Sequence, residues 1–532
     1  MESLEPEKLN TEYSPRIHPY LAVIILSIAT FMEFLDTTVA NVAISRIAGD
    51  LSATAEETGW VLSSYLIANA VALPVSGWLA MRFGRKRFYL TCLVIFIISS
   101  LFCGLSQNLE TLIFFRDIQG FSGSGLPTSE QSLIADITPP DKLGRAFSMF
   151  GSIITLAAII GPTFGGFITD TLSWHWIFLI NVPIGIMCFF LVSNFIHETP
   201  KAIELHKKFV EARKSVDWMG IILFGIGIGA VEVIFEQGQK ENWFESDFIL
   251  VLSMVAFFSL LIGVTWELYH EQPAVDIEMF TNRNFTLACI LIFTVRFVTF
   301  GTTFLIPFMA QNLLDYTAMN SGLILLPGSI TLFLMIQVVG YLIDKFDPRI
   351  VLSFGMIVIF FALWNLASFS LQVGFNDLVL GRVFQMFGLA FLSTTMMAVA
   401  FYYVKPEKSD RASSLISIAG NTGASFGIAF TTTYIAKRAQ IHINNSGYHT
   451  TLHNPNFTDA ISNISNRLQH AGQTAIQATN NAYQIMWDTV IRQSTMNAVL
   501  DTFYIYMVFI LLLIPIVLLL KPKKSGSNSS NH

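Results

Sequence analysis

Asp36 stands in the run Phe31-Met-Glu-Phe-Leu-Asp36-Thr-Thr-Val-Ala-Asn41, with apolar sequence on either side and Glu33 three residues before it. A charge at the centre of a lipid bilayer costs roughly 2.5 to 3.5 kcal/mol on insertion scales, so an acid in such a run is a functional candidate. A carboxylate in an apolar cavity can take up and release a proton. Residues three apart share a helix face, which puts Glu33 beside Asp36 and nearer the membrane middle. The matching base is Arg116. At about 1.5 Å per residue, Asp36 lies about 24 Å along its helix from Tyr20, in the outer part of the membrane. Arg116 lies about 9 Å in from the outer start of its own run, at the same depth. With Gln119 one turn on, the pair could couple protonation to helix movement, because protonating the acid removes an attraction to the arginine. A fixed ion pair that holds two helices together would use the same residues. Glu130 and Arg296 are deep in apolar runs and could pair with each other or touch a substrate, and Arg382 is a further candidate for either role. Glu232 and Glu236 read as interfacial.

The elements that must position these groups follow from composition. Of 532 residues, 53% are hydrophobic and 13% charged, against roughly 25% charged in a soluble domain. A bilayer core of about 30 Å needs roughly 20 mostly apolar residues per helix. Fourteen runs between residues 20 and 520 qualify, among them 110–136 and 411–436, which predicts an all-α membrane protein. An even number puts both termini on one side. Most of the 31 Lys and Arg fall on that side, in 82–87, in 201–214 and in Lys521, Lys523 and Lys524, so it is assigned to the cytoplasm.

The run Gly77-Trp-Leu-Ala-Met-Arg-Phe-Gly-Arg-Lys-Arg87 is echoed by Gly340-Tyr-Leu-Ile-Asp-Lys-Phe-Asp-Pro-Arg349. Arg116-Asp-Ile-Gln119 is echoed by Arg382-Val-Phe-Gln385 at nearly the same offset. Two echoes in register predict two six-helix halves in parallel orientation with two helices inserted between them, a plan found in transporters. The expected segments are a cytoplasmic tail 1–19, a first bundle 20–196, a cytoplasmic linker with two inserted helices 197–268, a second bundle 269–520 and a tail 521–532. The second bundle contains a polar stretch, 440–497, outside the membrane between helices 13 and 14. That stretch is long for a connection and is either a docking element or a disordered spacer.

Taken with Trp60-Val-Leu-Ser-Ser-Tyr65, Arg116-Asp-Ile-Gln-Gly120, Gly161-Pro-Thr-Phe-Gly-Gly166 and Trp176-Ile-Phe-Leu-Ile-Asn181-Val-Pro-Ile-Gly185, the Asp36 run resembles the drug:proton antiporter-2 branch of the major facilitator superfamily. Within it the chain looks like the fourteen-helix EmrB/QacA type, and EmrB-like permease subunits in particular. The resemblance implies the major facilitator fold as 6+2+6 helices, proton-coupled efflux and a bacterial cytoplasmic membrane. It implies a proton role for the helix 4 motif, Arg116, Gln119 and Gly120. It also implies that Gly151, Gly161, Pro162, Gly165 and Gly166 form the motif that separates exporters from uptake systems. Small residues spaced by four also let helices pack closely. Gly77, Arg82, Gly84 and Arg85, with Asp344 and Arg349 in the second copy, would form cytoplasmic gate loops. Met81 stands where the family more often has an aspartate, so these arginines equally fit a positive-inside anchor. EmrB-like permeases work with a periplasmic adaptor and an outer-membrane channel, which gives 440–497 its docking reading.

Other classes find little support. There is no basic stripe for nucleic acid, no HExxH and no phosphate-binding glycine loop for ATP. Gly423-Ala-Ser-Phe-Gly427 matches GxSxG but lies inside an apolar run rather than on a strand-to-helix turn, and reads as packing. Cys92, Cys103, Cys188 and Cys289 lack metal-ligand spacing and read as apolar fillers. The expectation is a non-enzymatic transporter without cofactor, exchanging protons for amphipathic or toxic small molecules. A dedicated siderophore or metabolite exporter would carry the same motifs.

Overall fold

The computed structural model describes residues 18–139, 142–211, 217–270, 273, 275–402, 404, 408–447 and 455–520. The tails 1–17 and 521–532, with the terminal lysines, lie outside them. Among the described residues the chain is helical without strands. The first half comprises α1 (Pro19–Asp50), α2 (Ala55–Phe83), α3 (Arg85–Cys103), α4 (Leu109–Gly123), α5 (Gly125–Ile137), α6 (Leu143–Thr171), α7 (His175–Leu179) and α8 (Asn181–Phe195). Next come α9 (Pro200–Glu211), α10 (Trp218–Gln237) and α11 (Asp247–Tyr269). The remainder is α12 (Arg283–Asn312), α13 (Ala318–Lys345), α14 (Pro348–Ala367), α15 (Phe375–Tyr402), α16 (Ser409–Gly447), α17 (Pro455–His470) and α18 (Ala475–Leu518).

Helix starts are written locally. Thr54 and Glu57 form a capping box at α2, Thr474 and Gln477 another at α18, and Asn108, Thr317 and Asp347 cap α4, α13 and α14. Each accepts a backbone N–H that the helix leaves unpaired. Most long helices are apolar on every face, as lipid-embedded helices are. Helix α11 exposes Phe248, Val251, Phe257, Phe258 and Leu268 by half or more, an apolar surface that suits lipid and not water.

Twelve helices among the described residues are long and apolar enough to cross a membrane. Two of the fourteen expected spans are not among them. The run 110–136 is divided at Ser124 into α4 and α5, within Gly123-Ser124-Gly125. The run 411–436 lies in the 39-residue α16, whose Ser413, Ser414, Asn421, Thr422 and Ser425 dilute its apolar character. The polar stretch 440–497 is no irregular spacer where it is described. Helix α16 continues to Gly447, α17 follows, and α18 begins at Ala475. Polar composition hid these helices because α17 buries only a narrow stripe, with Ile461 and Ser465 inward, alongside an α18 that buries Ala478 and Ala482.

Contacts group the chain into two units: 1–226 with 260–279 and 401–417, and 227–259 with 280–400 and 418–532. In the first unit, α1 packs along α6 and α2 along α4, around Leu35, Val39, Trp174 and Phe178. In the second, α14 and α12 pack on α18, and Phe297 meets Phe426, Tyr506 and Phe509 at ring centroid distances of 5.3, 5.2 and 4.9 Å. A Cβ on Gly423 would stand 2.5 Å from the Phe293 carbonyl, so the GxSxG match is a close helix contact. The four cysteines are buried and free.

Beyond α11, Asp276 is buried and pairs with Lys408 and Arg411, each at 2.9 Å, while Lys408 also reaches Glu278 at 3.1 Å. Burial opposes the Asp276 charge, but hydrogen bonds from Lys408 and Arg411 outweigh it and lower the pKa below the ordinary carboxylate value. A depressed folded-state pKa contributes stability above the unfolded value, and that contribution is lost as pH falls through the folded one. Protection of amides at 275–281 against hydrogen exchange, taken relative to the intrinsic rate at each pH, is therefore expected to be high at neutral pH and to fall in acid, and to be low already at neutral pH in Asp276→Asn.

Candidate functional site

Helix α1 carries Asp36 into the core of the first unit, where its carboxylate and the Arg116 side chain are both fully buried. Arg116 Nη1 donates to Asp36 Oδ2 at 2.5 Å and to Gln119 Oε1 at 2.7 Å, and its Nε donates to the Val61 carbonyl at 3.0 Å. Asp36 Oδ1 accepts from Gln119 Nε2 at 3.1 Å and from Asn181 Nδ2 at 2.6 Å. Gln119 also donates to Ser100 Oγ at 2.7 Å. The guanidinium carbon lies 4.3 Å from the centre of the Tyr65 ring and 5.5 Å from that of Phe178. Helices α1, α2, α3, α4 and α8 thus meet on one ion pair. Removing one partner of such a pair strands the other, at a cost of about 3–5 kcal/mol.

Glu33 sits one turn below Asp36 and engages a different helix. Its Oε1 accepts from Tyr65 Oη at 3.0 Å and Asn69 Nδ2 at 3.2 Å. Tyr65 joins the two acids: its hydroxyl holds Glu33 and its face covers Arg116. Glu130, on α5, contacts Thr30 and Tyr89. Arg296 belongs to the second unit, where its guanidinium carbon lies 5.8 Å from the centre of the Phe300 ring. Glu232, expected at an interface, is buried.

The internal repeat is preserved in the second unit with one change. Arg382 Nη1 donates to Gln385 Oε1 at 2.8 Å and Gln385 Nε2 donates to Thr302 Oγ1 at 2.7 Å, while Arg382 Nη2 donates to Thr303 Oγ1 at 2.8 Å. Threonines on α12 occupy the role that Asp36 has on α1, so the arginine and glutamine recur and the acid does not. Replacing Arg116 by Gln is expected to destabilise the detergent-solubilised protein by about 3–5 kcal/mol, because Asp36 is left charged and buried. Replacing Arg382 by Gln leaves only neutral partners and is expected to cost about 1 kcal/mol. Thermal unfolding of the two variants measures the difference.

The glycines of the proposed motifs act by closeness. A Cβ on Gly161 would collide with Thr38, and one on Gly165 would stand 2.9 Å from Val39 Cγ1, so both let α6 lie against α1. Gly166 has nothing within 4 Å. Gly151 lies within α6; Pro162 does too, its side chain outside those described. A Cβ on Gly120 would meet the Tyr65 backbone.

At the basic loop, Gly84 adopts φ +86°, a conformation that favours glycine. Arg85 Nε binds Asp410 Oδ2 at 2.8 Å and its Nη1 contacts Asp136. A Cβ on Gly77 would stand 2.8 Å from the Asp410 carbonyl. At Met81 the side chain supplies no charge, and the backbone carbonyl accepts from His206 Nδ1 at 3.0 Å. Arg82 ends α2. In the second copy, Asp344 lies in the last turn of α13, and Asp347, not Asp344, caps α14 by accepting from Arg349 N at 2.9 Å.

Depth counting anticipated Asp36 with Arg116, and helical spacing added Gln119. Asn181 and Tyr65 stood in runs that carried the family resemblance, but nothing in their spacing said that they meet this pair. Val61 contributes only a carbonyl, which no side-chain pattern reveals.

The family model described as Major Facilitator Superfamily matches residues 26–428. The multidrug export protein EmrB of Haemophilus influenzae is 34% identical over 82% of this chain and 84% of its own length. That of Escherichia coli is 33% identical over 88% and 92%, and the fatty acid resistance protein FarB of Neisseria gonorrhoeae 29% identical over 96% and 98%. The solved structure of the proton:xylose symporter XylE superposes with a TM-score of 0.62 at 13% identity, over 95% of this chain and 96% of that one, which speaks for the fold. With twelve apolar helices among its described residues and a family match over most of its length, the chain is a multi-pass membrane protein that belongs to the major facilitator superfamily.

Proposed function

We propose that this protein is a proton-driven antiporter that exports amphipathic or toxic small molecules across the bacterial cytoplasmic membrane. The observation that carries this reading is the fully buried Asp36–Arg116 pair, held by donors from several helices. Ionised, Asp36 draws Arg116, Gln119 and Asn181 together. Protonated, it loses its attraction to the guanidinium, which keeps its bonds to Val61 and Gln119, and the helices that met on the charge are free to shift. Glu33 is the second acid of this coupling site. The direction and the breadth of substrate follow from the curated relatives, whose names record multidrug export and fatty acid resistance. In the fourteen-span arrangement the broken α4–α5 and the polar α16 each cross once. Both termini and the basic loops are cytoplasmic, and the Arg85–Asp410 pair lies at that end of the first unit. Helices α16, α17 and α18 then reach into the periplasm, where an adaptor leading to an outer-membrane channel would meet them.

Ethidium extrusion from energised cells, repeated in inverted vesicles under an imposed pH gradient, tests the reading. Extrusion that stops when nigericin collapses the gradient is the expected result. Failure to extrude ethidium, tetraphenylphosphonium and lipophilic uncouplers alike would overturn broad export in favour of a dedicated metabolite or siderophore exporter.

A further inference from the structure

Glu130 is as deeply buried as Asp36 but has no arginine. Its exposure is 0%. One carboxyl oxygen meets the Thr30 hydroxyl, and the other lies 3.3 Å from the Thr30 N–H and 3.1 Å from the Tyr89 hydroxyl. All of these partners are neutral. The Tyr89 hydroxyl also lies 3.0 Å from the Leu26 carbonyl oxygen. A tyrosine has one proton to donate, and a carbonyl oxygen can only accept. When Tyr89 donates to Leu26, its contact with Glu130 is satisfied only if the carboxyl supplies a proton of its own. Among the described residues, Glu130 is met by Thr30 on α1 and Tyr89 on α3, with Glu33 one turn above as the neighbouring acid, and the Tyr89 hydroxyl in turn meets the Leu26 carbonyl on α1 and Cys188 on α8, whose Sγ lies 3.6 Å away. None is basic. An ionised carboxylate in this setting would carry an uncompensated charge in the membrane interior.

We propose that Glu130 holds a proton in this conformation and is the inner stage of a carboxyl ladder along α1. Asp36, Glu33 and Thr30 follow one another at three-residue intervals, about 4.5 Å apart along the axis. Glu130, fastened to Thr30, therefore stands about 9 Å below Asp36. Tyr65 bridges the upper two rungs, by its ring to the Asp36–Arg116 pair and by its hydroxyl to Glu33. In a cycle, Glu130 would release its hydrogen ion to water entering from the cytoplasmic side, becoming a carboxylate, and regain one from the outside through Asp36 and Glu33. Nothing is oxidised or reduced. The ladder rests on the antiport reading; the protonated state of Glu130 does not.

Two measurements on the full chain separate these claims. Infrared difference spectra of the purified protein between alkaline and neutral buffer are expected to show protonated-carboxyl stretches. Glu130→Gln should remove one that Glu33→Gln leaves in place, and Glu130→Asp should retain it, shifted. Ethidium extrusion driven by a pH gradient in inverted vesicles should be lost in Glu130→Gln and partly restored in Glu130→Asp. Carboxyl bands unchanged in Glu130→Gln would overturn the protonated state, and wild-type extrusion by that variant would overturn the ladder. If neither the wild type nor Asp36→Asn responds to the gradient, the antiport reading fails while the band assignment stands. Should Glu130→Gln fail to fold, Tyr89→Phe carries the spectroscopic test. It removes the competing hydroxyl and should shift the same band, and an unshifted band would count against the assignment.

Discussion

The Asp36→Asn protein is expected to reach the membrane and to lose all ethidium extrusion driven by a pH gradient. Asparagine keeps the shape of the side chain and one oxygen to accept from Arg116 Nη1 or Asn181 Nδ2, so the local packing survives. It cannot take up a proton, and it leaves the guanidinium buried without a counter-charge. Breaking a buried pair costs about 3–5 kcal/mol, part of which the remaining hydrogen bonds and the Tyr65 ring offset. A double variant, Asp36→Asn with Arg116→Gln, removes the stranded charge and is expected to regain thermal stability without regaining transport. Stability and transport should thus separate. Gradient-driven extrusion by Asp36→Asn at the wild-type rate would take Asp36 out of the coupling step.

Gly120→Val should have the larger structural effect. A Cβ at Gly120 would sit 2.9 Å from the Tyr65 carbonyl carbon and 3.0 Å from its Cα, and backbone atoms cannot rotate away as a side-chain tip can. Helices α2 and α4 must then separate, and Tyr65 moves with α2. Overpacking of a close contact costs about 1–3 kcal/mol or more. Here it also displaces the ring over Arg116 and the hydroxyl on Glu33, so little folded protein is expected in size-exclusion profiles of detergent extracts. Gly166→Val, with nothing within 4 Å, serves as the control and should elute as the wild type does. Equal profiles for both variants would show that the α2–α4 approach tolerates a side chain.

Much of this site was legible because it depends on distance along a helix, which sequence gives directly. Asp36 and Arg116 could be matched in depth by counting residues from the ends of their apolar runs, and Gln119 follows from a spacing of three. The partners that converge from elsewhere, Asn181 on α8 and Tyr65 and Val61 on α2, depend on which helices are neighbours, and no periodicity within one helix records that. Glu33 shows the limit of the spacing rule: it shares a helix face with Asp36 but bonds to α2, because two adjacent turns can face different neighbours. Composition misled in two places for one reason. The helices of 440–497 and the length of α16 are too polar to register as apolar periodicity, and their caps and the narrow stripe of α17 are fainter signals than a hydrophobic run.

Helix α18 runs 44 residues without interruption from Ala475 to Leu518, a rod of about 66 Å. It is lashed to α16 where Asp501 binds Arg438 Nε at 2.7 Å and His442 Nε2 at 2.8 Å, and to α17 along its first turns. A rod held near its middle behaves as an oar. With about 36 Å of α18 lying beyond the apolar run, a tilt of about 10° in that run would sweep the Ala475 tip through about 6 Å. Motion too small to notice among packed helices would be enlarged at that tip, where anything resting on it would feel the stroke.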